Sequence, residues 1–162
     1  MPRWAKQIRE SGKDACIDPH ELFRPYSVGN SVEEIFLENS SIGLKFKDFE
    51  YGSFLASGSS GQVYLARHQK TQFVVALKIL PKEIHDTDES KIDLMNEIKT
   101  QTSLRHPNIL QMYGYFHDKK NVYLIMEYAP GGSLRRGKCA PKTATKYAHD
   151  MSTALEFMHS LV

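Results

Sequence analysis

Hydrophobic and polar positions change their period several times along this chain, and the changes divide it. Residues 1 to about 46 mix charges, Pro, Ser and Asn with isolated apolar residues and hold no period, which reads as a tail or extension with no assignable chemistry. From Phe46 the run FKDFEYGSFLASGSSGQVYLARH places apolar positions on both sides of a glycine and serine turn, the pattern of two strands joined by a hairpin. Phe73 to Leu80 (FVVALKIL) reads as a third strand, with Pro81 following it as a break. Asp86 to Leu104 opens on Asp86, Asp88 and Glu89 and carries Leu94, Ile98, Gln101 and Leu104 at three- and four-residue steps, which predicts one amphipathic helix. After RHPN, two β runs, Ile109 to His117 and Asn121 to Tyr128, flank Asp118-Lys119-Lys120 as a hairpin, and Pro130-Gly131-Gly132 breaks the chain. Ala144, Tyr147, Ala148, Met151, Ala154, Leu155 and Met158 then follow helical spacing, predicting a second helix over 143 to 159.

These elements predict an α+β fold, a twisted antiparallel sheet of about five strands with one long helix on it, followed by a loop and a lone helix. Residues 1–46 read as the extension, 47–129 as the folded lobe and 130–162 as the loop and lone helix that follow it.

Composition narrows the function classes. An apolar fraction of 41% supports a core, and 21 Lys+Arg against 19 Asp+Glu gives +2, too little charge for nucleic-acid binding to lead. Cys16 and Cys139 lie far apart without metal-ligand spacing, so neither a disulfide scaffold nor a zinc site is expected, and a reducing interior is the simpler home. No stretch reaches the ~18–20 apolar residues of a membrane span, and the N-terminus lacks an apolar signal core. The expectation is an intracellular protein with no membrane and no nucleic-acid partner.

Alternation in the third strand puts Val74, Ala76 and Lys78 on one face and Phe73, Val75, Leu77 and Ile79 on the other. An ammonium on such a face needs a partner or it loses its proton. A flat ring bearing phosphates suits that face, with Ala76 and Val63 against the ring and Lys78 on the oxygens. Backbone N–H groups around Gly58 and Gly61 approach phosphates closely because no Cβ intervenes. Lys78 taken alone reads equally as a snorkelling edge-strand lysine, and the glycine loop alone as an ordinary hairpin. Glu97 lies one turn from Leu94 and Gln101, so its carboxylate borders the buried helix face and can meet Lys78; alone it reads as a solvated glutamate.

Together these residues resemble the eukaryotic protein kinases, and within them the aurora serine/threonine kinases. The resemblance rests on FEYGSFLASGSSGQVYLAR, VALK, MNEIKTQTSLRHPNIL and YGYFHDKKNVYLIMEYAPGGS, with 15 positions from Val63 to Lys78 and 19 from Lys78 to Glu97. TATKYAHDMSTALEFMHS resembles the helix before the kinase catalytic loop, so the likeness runs over about 46–161.

The resemblance implies ATP as cofactor, held by the loop Leu55-Ala56-Ser57-Gly58-Ser59-Ser60-Gly61-Gln62-Val63. Lys78 would bind the α- and β-phosphates and pair with Glu97. Leu55, Val63 and Ala76 would sandwich the adenine, Met126 would stand at the back, and the hinge Glu127-Tyr128-Ala129 would offer the Glu127 C=O and Ala129 N–H to its edge. Protein substrates, an activator docking on this lobe, and location in nucleus, cytoplasm or on spindle and chromosomes are implied in the same way.

Three departures stand out. Ala56 replaces the first glycine of GxGxxG and Ser60 the loop-tip aromatic; an alanine is tolerable where φ stays negative. GGSLRRGKCAPK looks shorter than the family segment, and its Arg135, Arg136 and Lys138 read as a solvated loop or an acidic-partner contact. No HRD or DFG motif occurs before HSLV, so the family's Mg²⁺ ligands are absent. The expectation is that these 162 residues alone do not phosphorylate protein, and that Tyr147, Met151, Leu155 and Met158 form an uncovered stripe prone to association. The other class of function this leaves open is a non-catalytic kinase-like module that docks regulatory partners.

Overall fold

A computed structural model describes residues 4–5, 44–134 and 140–161. Five strands, β1 (Phe49–Gly58), β2 (Gly61–His68), β3 (Val74–Pro81), β4 (Met112–His117) and β5 (Asn121–Met126), form one sheet in the order β1-β2-β3-β5-β4. Every neighbouring pair is antiparallel. Helix α1 spans Asp88–Ser103 and helix α2 Pro141–His159. The expected α+β architecture is therefore present.

Element ends differ from the hydrophobic pattern for local reasons. Helix α1 starts at Asp88 instead of Asp86 because Thr87 caps it, its hydroxyl oxygen accepting from the Ser90 amide at 3.2 Å. Strand β4 starts at Met112 instead of Ile109, since the Ile109 amide closes a turn onto the His106 carbonyl. Strand β5 stops at Met126 instead of Tyr128, and α2 begins two residues before the expected start because Pro141 occupies its first turn.

The sheet buries both faces over much of its area. On one, Leu44, Phe49, Ala66, Phe73, Val75, Leu77, Phe116, Tyr123 and Ile125 form an aromatic-rich cluster. Phe116 stacks on Phe49 at 5.5 Å and on Tyr123 at 4.6 Å between ring centroids. On the other face α1 presses Leu94, Met95 and Ile98 onto Leu80, Met112, Val122 and Leu124. Gln101, expected in the apolar stripe, instead donates to the Leu110 carbonyl at 2.8 Å and pins the end of α1 to the segment before β4. Thr102 Oγ1, which donates to the Ile98 carbonyl at 2.6 Å, also lies 3.4 Å from the Met112 sulfur.

The β4–β5 turn is held by Asp118. One carboxylate oxygen accepts from the Lys120 and Asn121 amides at 2.8 Å, and the other from the Tyr123 hydroxyl at 2.7 Å. Burial alone raises its pKa, but Tyr123, the two amides and the Lys82 ammonium outweigh burial and hold it below the usual range. A carboxyl depressed on folding stabilises above its unfolded pKa, near ~4, and that stabilisation is lost as pH falls through the folded pKa. The stability gap between the native chain and Asp118→Ala, measured by urea denaturation, is thus expected to be full at neutral pH and to shrink below about pH 4. A gap that widens on acidification would refute this.

Candidate functional site

Three strands and one helix bring the sequence-selected residues together. Val63 pairs with Lys78 and Leu65 with Ala76 across β2–β3, while Met126 pairs with Ala76 and Leu124 with Lys78 across β3–β5. Paired residues share a side of the sheet, so Val63, Ala76, Lys78 and Met126 lie on the α1 face. The alternation expected for β3 holds: Val75 and Leu77 belong to the aromatic cluster, Leu80 to the cluster under α1. Met126 packs, half-buried, against that α1 cluster.

Lys78 Nζ lies 3.5 Å from Glu97 Oε1, joining the sheet's middle strand to α1. Their side chains are 22% and 57% exposed, so the pair sits at the edge of solvent. Such a pair adds only ~0–1 kcal/mol to stability. It holds the ammonium toward α1.

The loop between β1 and β2 is a two-residue turn at Ser59-Ser60. Among the described residues Gln72 is the single non-glycine with positive φ, so Ala56 keeps the negative φ an alanine accepts, within β1 and opposite Val63. A Cβ on Gly58 would meet nothing within 4 Å, leaving its backbone open to approach. Gly61 differs: a Cβ there would collide with the Ile79 carbonyl oxygen.

A hollow of about 420 Å³ is lined by Ser57, Gly58, Ser59, Gly61 and Gln62 together with Ile79, Pro81, Ile84 and Asn121. Ile79 points away from the Lys78 face, so this hollow lies across the sheet from the ion pair and does not join the loop to Lys78.

At the hinge, Glu127 is fixed at both ends. Its amide donates to the Gln111 carbonyl at 2.8 Å, and its carboxylate accepts from the Gln111 amide at 3.1 Å. Tyr128 packs, half-buried, with Leu55 and Leu65; Ala129 follows, its carbonyl accepting from the Gly132 amide at 3.2 Å. Arg135, Arg136, Lys138 and Cys139, like Cys16, lie outside the described residues.

Residues read as tail also touch this lobe. Trp4 is 8% and Ala5 0% exposed, packed with Leu65, Val74, Leu55 and Tyr128. A lone tryptophan in an aperiodic stretch carries no signal of what it will cover.

Helix α2 is tied to the segment after α1. Asn108 Nδ2 donates to Thr153 Oγ1 at 3.0 Å, and the His106 and Phe157 rings stack at 5.3 Å. Ala154 is buried; of the expected uncovered stripe Tyr147, Met151 and Leu155 are exposed, but Met158 is half-buried. Among the described residues no group of three or more His, Cys, Asp or Glu is placed to hold a metal ion. No described helix is long and apolar enough to cross a membrane.

Comparison with known proteins agrees with this geometry. The family model described as protein kinase domain matches residues 49–162. The chain is 44% identical over 118 residues to Aurora kinase of Dictyostelium discoideum, covering 70% of this chain and 31% of that protein. It is 44% identical over 119 residues to Aurora kinase A-A of Xenopus laevis (70% and 29% covered), and 43% over 132 residues to Aurora kinase of Schizosaccharomyces pombe (74% and 37%). The chain thus spans about a third of the length of these curated relatives. With its antiparallel sheet, α1 and the Lys78–Glu97 pair, this chain belongs to the protein kinase family and is aurora-like within it.

Proposed function

We propose that residues 47–129 are the nucleotide-binding lobe and hinge of an ATP-dependent serine/threonine protein kinase. The observation that carries the reading is the 3.5 Å approach of Lys78 to Glu97. Glu97 orients the ammonium so that it meets the α- and β-phosphates of ATP, the charge-stabilising part of a phosphoryl-transfer site. Open backbone at Gly58, within the loop Ala56-Ser57-Gly58-Ser59-Ser60-Gly61-Gln62, supplies N–H groups to the phosphates. Leu55, Val63 and Ala76 enclose the adenine, Met126 backs it, and the Glu127 carbonyl and Ala129 amide meet its edge. Glu127, held at two points by Gln111, presents a rigid hinge.

The residues present fit ATP. Among the described residues no group of three or more His, Cys, Asp or Glu is placed to supply a Mg²⁺ site. Protein substrates, an activator docking on this lobe, association through the exposed Tyr147, Met151 and Leu155 face, and a nuclear, cytoplasmic or spindle location belong to the same proposal by family likeness.

The test is a nucleotide-dependent thermal shift. At ATP well above its Kd the native chain is expected to gain roughly 2–3 kcal/mol, a rise of about 5 °C or more in Tm. Lys78→Met should show no rise. Glu97→Ala should melt within a few degrees of the native chain without nucleotide, because the pair contributes little to stability, yet respond weakly to ATP. A folded native chain whose Tm ignores millimolar ATP would refute the proposal.

These 162 residues contain no HRD or DFG motif, and both the catalytic Asp and the Mg²⁺ ligands belong to those motifs. Purified chain with radiolabelled ATP and a Ser/Thr-containing protein is therefore expected to transfer no phosphate. Transfer that persists in the native chain and disappears in Lys78→Met would show a catalytic route of its own.

A further inference from the structure

Trp4 and Ala5 dock on the same sheet face as the nucleotide site. Leu65, which they cover, is the register partner of Ala76, and Val74 lies two residues before Ala76 on the same side of β3. The two other members of the cluster are Leu55 and Tyr128, one from the loop strand and one from the hinge. Leu55 is thus asked to serve two flat rings, an indole and an adenine.

The dock is shaped for an indole. The Arg67 guanidinium lies 4.6 Å over the centre of the Trp4 ring and is itself held by Glu50 at 2.6 Å. Gly52 leaves the space: a Cβ there would come within 3.2 Å of both Trp4 Cη2 and Ala5 Cβ. Trp4 Nε1 is buried with no hydrogen-bond partner among the described residues, and the Arg67 guanidinium holds the Glu50 carboxyl below its usual range. Trp and Arg in well-packed, desolvated pockets are the residues that carry most of the binding energy at docking surfaces.

We propose that this surface of β1, β2, β3 and the hinge is a docking site for the chain's own Trp4–Ala5 segment, and that the docked segment and ATP exclude one another at Leu55. The inference rests on the nucleotide-site reading above. It makes the N-terminal extension an intramolecular competitor: nucleotide enters as the tryptophan leaves, and anything that draws the tryptophan away raises ATP affinity. The coupling is reciprocal, so ATP must also loosen the segment.

Trp4 is the chain's one tryptophan, so its fluorescence reports this contact without a label. Three proteins are compared: the native chain, Trp4→Ala, and Ala5→Asp, which puts a charge at a fully buried position of the segment, leaves the sheet untouched and keeps the fluorophore. Circular dichroism checks that all three fold. ATP affinity is measured by calorimetry, and exposure of Trp4 by iodide quenching. Expected are ATP affinities about fivefold or more higher in both variants. In the native chain Trp4 should be protected without nucleotide and quenched as ATP saturates; in Ala5→Asp it should be quenched throughout. Equal ATP affinities in the three proteins, a Trp4 that stays protected at saturating ATP, or a Trp4 already exposed in the native chain would each overturn the inference while leaving the ATP site standing. If none of the three binds ATP, the nucleotide-site reading fails and the competition fails with it.

Discussion

Gly61→Ala is expected to cost about 3 kcal/mol, the upper part of the range for overpacking a closed structure. Its Cβ would collide with the Ile79 carbonyl oxygen and reach 3.0 Å from Leu80 Cδ2, and the first of these is backbone that a rotamer change cannot move. Relief requires β2 to draw away from β3, beside the Gln62–Ile79 and Val63–Lys78 pairs. Set against a domain stability of roughly 5–15 kcal/mol, that is a large fraction. Gly58→Ala is the matched comparison. Its Cβ would touch nothing within 4 Å, so stability should stay within about 0.5 kcal/mol. The two glycines of one loop thus separate by cause: Gly61 is required by the fold, whereas any loss of ATP affinity in Gly58→Ala reads the approach of phosphate to backbone. Guanidinium midpoints of the two variants decide it. Equal midpoints would refute the packing argument for Gly61.

Ile98→Ala is expected to destabilise by about 2–5 kcal/mol, the usual range for emptying a fully buried aliphatic site. Ile98 has no exposed surface and lies between Leu94 and Met95 of its own helix and Leu80, Met112, Val122 and Leu124 of the sheet. The effect reaches the site because Glu97 is its neighbour on α1 and depends on the same packing to face Lys78. Ile92 on the same helix is 49% exposed, and Ile92→Ala should change stability by less than about 0.5 kcal/mol. The ATP-induced thermal shift should fall in Ile98→Ala and persist in Ile92→Ala. Similar losses in both would mean that α1 is not held by the face described.

Much of the lobe was legible in the residues. The two-faced reading of FVVALKIL holds because a strand buried on both sides still alternates, and the change of period at Asp86 marks a helix because apolar positions recur every three or four residues. Met95 was also within reach, three positions before Ile98, but Gln101 and Leu104 drew the stripe instead. Gln101 had no such signal: its role is a hydrogen bond to Leu110, which becomes its neighbour when the chain turns back into β4. Strand β4 starts later than the apolar run suggests because Ile109 closes a turn and Leu110 follows in irregular chain, and apolar character alone does not tell such residues from a strand.

Whatever depends on near neighbours can be read along the chain: strand and helix types, the loop between β1 and β2, which side of β3 carries Lys78, and the kinase likeness in motif spacing. Whatever depends on distant segments emerges only on folding. Folding sets the order β1-β2-β3-β5-β4, the side of the sheet α1 covers, the 3.5 Å meeting of Lys78 with Glu97, and the seat of Trp4 against Leu65 and Tyr128. Periodicity records only that a residue faces something apolar. What it faces is chosen when strands far apart in the chain pair and bury their faces together, and no local pattern carries that information.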